Sequence, residues 1–196
     1  MSVINFINTQ NILILEKFRL KVARILLRRK SKKAKRQKML FDFASAKYIG
    51  ILCSPQDEIS TRHLKDFLQY LSQKGIQYLV FGYFDGKKIP DNFLYWKGVD
   101  FMTHQDLNFF LIPNNQVVGK FIHEPFDMLI DCNMINYFPV EYVAQLSVAK
   151  CKVGVMREGE LCYDLMIDIK KNRTIEYFLK NIEKYFSDLK HLNSQT

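Results

Sequence analysis

The stretch KYIGILCSPQDEISTRHLKDFLQYLSQKGIQYLVFGY (residues 47–83) decides the fold class. Its opening, KYIGILC (47–53), is a short β-rich run that stops at the turn signal Ser54-Pro55. Asp57 starts a helix in which Leu64, Phe67, Leu68 and Leu71 keep a 3–4 spacing, and Gly75 stands at its C′ position. IQYLVFGY (76–83) is a second strand, closed by Phe84-Asp85-Gly86. Strand, helix and strand at this spacing make a β-α-β unit with a right-handed crossover.

Working outward toward the C-terminus, Gly98 to Met102 reads as a short strand and Asn115 to Ile122 as a short helix. FDMLIDC (126–132) lacks alternation and is expected to be a strand buried on both faces. Pro139 suits the first turn of a helix through Leu146. CKVGV (151–155) and CYDLMIDI (162–169) are further strands. Ile175, Phe178, Leu179, Ile182, Phe186 and Leu189 form one apolar stripe of a final helix. The expected fold is α/β: a three-layer, Rossmann-like, mostly parallel sheet with helices on both faces, preceded by a basic N-terminal helix. The strand order is 3-2-1-4-5-6, with the reversal between 47–53 and 126–132. Residues 1–45 are assigned to a basic amphipathic helix and tether, and residues 46–192 to the α/β domain.

Charge divides the chain in the same way. Twelve of its 29 lysines and arginines lie in the first 38 residues, against one acid, Glu16. The remainder holds 17 basic and 19 acidic residues. Lys17, Lys21, Arg24, Arg28, Lys32 and Lys35 follow spacings that place them on one stripe of a helix over roughly 10–36. Leu15, Phe18, Val22, Ile25 and Leu26 fall on a broad apolar face elsewhere. From Arg28 to Lys38, 8 of 11 residues are basic. Self-repulsion at that density is relieved by a bound polyanion. The candidate polyanion-binding residues are Lys17, Lys21, Arg24, Arg28, Arg29, Lys30, Lys32, Lys33, Lys35, Arg36 and Lys38.

The blocks FDMLIDC (126–132), FPVEYVAQLSVAKCKVGV (138–155) and YDLMIDI (163–169), with AKYIGILC (46–53) and GYFDGKKIPD (82–91), resemble an uncharacterised Bacteroidetes family, a domain of unknown function. The resemblance implies a bacterial cytoplasmic protein and transfers no catalytic residue. A strand ending in Asp, a helix and a short strand reaching Gly are also similar to the acceptor half of bacterial heptosyltransferases. Those enzymes need a second Rossmann-like domain, for which this chain has no room.

Few of the usual chemical motifs are present. No HExxH, GxSxG, GxxxxGK[ST] or GxGxxG sequence occurs, so neither a catalytic set nor a cofactor or metal is expected. Cys53, Cys132, Cys151 and Cys162 form no CxxC pair and read as buried thiols. No signal peptide or membrane-spanning run is evident. The carboxyl ends of the strands carry a possible ligand rim: Ser54, Gln56, Asp85, Asp131, Asn133 and Asp168. Asp131 and Asp168 share the pattern aromatic-Asp-x-x-Ile-Asp. With one strand between them they stand ~9.6 Å apart, and a shared core-strand pattern explains them better than an acid–base pair. Lys150 reads as a cation at a helix C-terminus.

The expected function is non-enzymatic. The basic helix associates with RNA, most plausibly ribosomal, and an unknown protein partner is possible. Peripheral attachment to the inner membrane through the same helix is the alternative. A degenerate glycosyltransferase-like or nucleotide-binding α/β domain is the third reading.

Overall fold

The computed structural model describes residues 3–34, 36–39, 45–55, 57–94, 96, 98–158 and 162–193, with side chains left out for 3–12, 94 and 186–193. Lys35 and Gln56 of the candidate sites therefore lie outside the described residues.

Six parallel strands form one sheet: β1 (Tyr48–Cys53), β2 (Gln77–Tyr83), β3 (Val99–Met102), β4 (Met128–Asp131), β5 (Cys151–Val155) and β6 (Leu165–Ile167). Their order, β3-β2-β1-β4-β5-β6, is the expected one. The helices are α1 (Val3–Lys33), α2 (Glu58–Gln73), α3 (Asp91–Leu94), α4 (Gln116–His123), α5 (Phe138–Leu146) and α6 (Ile175–Asn193).

Strand alternation splits the core into two layers. Ile49, Ile51, Val80, Met128, Ile130 and Val153 pack with Leu64, Phe67 and Leu71 of α2 and Phe178 and Ile182 of α6. Leu52, Phe81 and Leu129 face the other way, onto α1, α4 and α5. After β1 the chain moves one way across the sheet, and after β4 it moves the other. Crossovers of one hand then fall on opposite faces, so α2 and α5 lie on opposite sides.

Three strand glycines make room for neighbouring rings. A Cβ on Gly50 would lie 2.7 Å from the Phe126 ring, and one on Gly154 would lie 2.8 Å from Tyr163. Gly82 is covered by Phe101 in the same way. Gly75, just past α2, has φ +72° and serves as the left-handed residue that ends the helix.

The N-terminal helix differs from its expected form. It starts at Val3 and ends at Lys33, and it rests on the body beside α5. Among its described side chains Ala23 and Leu27 are buried, and Leu20, Val22 and Leu26 are half-covered. Leu15, Phe18 and Ile25 of the expected apolar face are exposed. Apolar residues lie on two opposite sides of α1, and the body covers the side that carries Ala23 and Leu27.

Candidate functional site

Two regions could act on other molecules: the outer face of α1 and the carboxyl edge of the sheet.

Several cations of α1 and of the segment that follows it contact the body. Arg36 binds both oxygens of Asp164 at 2.5 Å, and Lys38 stands 3.5 Å from the same carboxylate. Arg24 lies 3.6 Å from Glu141. Lys30 donates to the Tyr142 hydroxyl at 2.8 Å. Arg19, which the candidate set omits, donates to the Phe109 carbonyl at 2.5 Å and stacks on the Phe109 ring. Lys17, Lys21, Arg28, Arg29, Lys32 and Lys33 have exposed positions. At about 100° per residue, Ile14, Phe18 and Ile25 fall within about 40° of one another, on the side opposite Ala23 and Leu27. These three are 64%, 56% and 44% exposed. Lys17, Lys21 and Arg28 flank this strip on one side and Arg29 and Lys33 on the other, while Lys32 falls in line with Ile14.

At the sheet edge the rim residues separate. Asp131 ends β4 and is 1% exposed. Its carboxylate accepts from the Asn133 backbone at 3.0 Å, from Asn133 Nδ2 at 2.5 Å and from the Tyr163 hydroxyl. Burial, with Asp131 beside it, raises the Tyr163 hydroxyl far above its ordinary value. Burial also pushes the Cys53 thiol up to about 12 and raises Cys132. Both thiols stay protonated and are poor nucleophiles. Asp168 follows the edge strand β6, exposed, accepting from the Lys170 backbone at 2.8 Å. One strand, β5, lies between the strands that carry Asp131 and Asp168, as the sequence indicated.

Ser54 and Asn133 come together where the strand order reverses. Both line a cleft of about 390 Å³ bounded by the first turn of α2, the β4–α5 loop and the first turn of α6. Asn133 is 3% exposed. Ser54 Oγ, Asn133 Oδ1 and Arg157 Nε are shielded from water and have no hydrogen-bond partner among the described residues. Arg157 also donates to the Asn133 carbonyl. An adjoining cleft of about 450 Å³ shares Ser54, Asp57 and Tyr137 and extends to Asp85. There His104 Nε2 lies 2.6 Å from Asp85, which also accepts from Tyr83 at 3.1 Å. Asp57 caps α2 by accepting from Ser60 N at 2.6 Å, and that bond holds its carboxyl below the usual range. Among the described residues, no group of three or more His, Cys, Asp or Glu is placed to hold a metal ion.

Lys150, which follows α5 by four residues, bonds the Asp127 carboxylate at 2.8 Å. Ile59 and Ile135 of the cleft wall were not singled out by the sequence, which carries no pattern that marks them.

Residues 17–189 match the model of a family of unknown function, DUF6913. No curated protein matches the chain.

Proposed function

We propose that this chain, which belongs to the DUF6913 family of unknown function, is a peripheral membrane-associated protein that rests on an anionic lipid surface through α1. The observation that carries this reading is the strip Ile14, Phe18 and Ile25, exposed in the middle of cations on the side of α1 turned away from the body. An interfacial helix needs that combination: apolar groups that enter the acyl boundary and lysines or arginines that meet anionic headgroups. Each basic residue near such a surface contributes about 1 kcal/mol. Among the described residues, no helix is long and apolar enough to cross a membrane, so the contact is one of lying on the surface.

Association with RNA is the second reading, supported by the density of cations from Arg28 to Lys38. Charge alone put RNA first; the exposed apolar strip puts lipid ahead, because phosphate contacts make no use of it.

Cosedimentation separates the two. Vesicles containing about one-third anionic lipid should bind the full chain, and purely zwitterionic vesicles should not. Replacing Ile14, Phe18 and Ile25 together by Ser should weaken vesicle binding about tenfold or more and leave any RNA binding unchanged. Equal vesicle binding by this variant and the parent overturns the lipid reading. Loss of RNA binding on Lys32→Glu and Lys33→Glu, without any vesicle binding by the parent, selects the RNA reading.

A further inference from the structure

The cleft at the β1/β4 reversal has no part in surface attachment, and none of the residues lining it comes from α1. Three features bear on its occupant. Its inner wall includes Asn133, a buried side chain whose Oδ1 accepts nothing, and Ser54, whose Oγ is also unpaired among the described residues. Buried acceptors of this kind are nearly always satisfied in folded proteins, and a ligand N–H or O–H supplies the missing donor. Its mouth is apolar. Ile59 of α2 is 67% exposed and Ile135 of the β4–α5 loop is 50% exposed, and Met134 and Ile175 complete the wall. Its charged lining residues are Asp57, Glu176 and Arg173, with His63 3.7 Å from Glu176. Asp57 is engaged at the start of α2, Glu176 is held by Lys180 at 2.6 Å, and Arg173 stands on the same rim.

The geometry points to a neutral, ring-bearing small molecule of the nucleoside class as the ligand of this cleft. Its ring covers the exposed Ile59 and Ile135, and a ring N–H or sugar hydroxyl donates to Asn133. The volume of about 390 Å³ suits a molecule of that size. The position is the one at which open parallel sheets take ligands, outside the carboxyl ends of the strands where their order reverses. A strongly anionic ligand is disfavoured, because Asp57 and Glu176 already stand at the mouth.

The test is saturation-transfer NMR on the full chain with adenosine, guanosine, cytidine and uridine, each at roughly millimolar concentration, and with their 5′-monophosphates. At least one nucleoside should show transfer, its monophosphate should bind no more tightly, and Ile59→Glu should weaken the nucleoside at least about tenfold. Ile59 is mostly exposed, so this variant keeps its fold, which circular dichroism verifies. Ile135→Glu, from a different element, should act in the same direction. Absence of transfer from all four nucleosides overturns the proposal. So does transfer that survives both substitutions, or binding of monophosphates alone.

Discussion

Asp127 and Asp164, the first acids of the repeated pattern aromatic-Asp-x-x-Ile-Asp, give that pattern a structural role, in keeping with its reading as a shared core-strand feature. Each precedes a strand and binds the backbone of the neighbouring strand. Asp127 accepts from Lys47 N at 3.0 Å and Tyr48 N at 3.1 Å, and Asp164 accepts from Lys152 N at 2.9 Å. The aromatic before each acid, Phe126 or Tyr163, fills the space over a glycine of that same neighbour, Gly50 or Gly154. The first acid of each motif thus sets strand register, and the ring fills a gap that any larger residue would close. Lys152, one position after Cys151, is 3% exposed and donates to the Gln145 carbonyl at 3.0 Å. Burial, then the nearby cations Arg36 and Lys38, pushes its ammonium down to about 8. Its folded value lies below its unfolded one, so the folded state is penalised at neutral pH and releases its proton first as pH rises. Stability should therefore increase between about pH 8 and pH 10. Lys152→Met should remove that rise and gain about 1–3 kcal/mol at pH 7, as read by urea denaturation across the pH series. A parallel pH profile in the two proteins would contradict this.

Helix α1 presents two apolar sides, and only packing tells them apart. Ala23 and Leu27 are 0% and 1% exposed, while Phe18 and Ile25 face water. Leu27→Ala should destabilise the fold by about 2–5 kcal/mol through the cavity it leaves. Phe18→Ser should change stability by no more than about 0.5 kcal/mol. Thermal or urea unfolding of the two variants side by side measures the contrast. Similar losses for both would mean that the outer side of α1 is packed as well. Helix α2 was far easier to read from sequence. Its Asp57 cap, its apolar positions and Gly75 are all local signals, and the structure places each as expected.

Taken together, the arm and the body are less separate than their charges suggest. Ala23 and Leu27 belong to the core layer built by α4 and α5, and Arg36 and Lys38 bind Asp164. Removing residues 1–38 should therefore lower the unfolding midpoint of the remainder substantially, with exposure of apolar surface detectable by dye binding. An unchanged midpoint would show that the arm contributes nothing to the body's stability. The ligand rim was legible in part. Ser54 and Asn133 follow strands at the order reversal, so topology alone brought them together. Asp168 stands apart from them, just past the edge strand β6, as the expected strand order implies. Asp131 belongs to the rim by position and to the interior by its hydrogen bonds. The walls formed by Ile59 and Ile135 had no sequence signal, since exposure is set by what fails to pack against a residue.

Local order along the chain was enough to establish the parallel sheet, its strand order and the concentration of positive charge in the first 38 residues. Hydrophobic period, turn residues and formal charge act over short distances and survive in a one-dimensional reading. The tertiary structure alone decided which side of α1 is buried, which acids neutralise its cations and which polar groups are left unpaired at the reversal. Those outcomes depend on residues far apart in the chain, such as Arg36 and Asp164, 128 positions from one another. Their meeting follows from how whole elements pack, which no local pattern records.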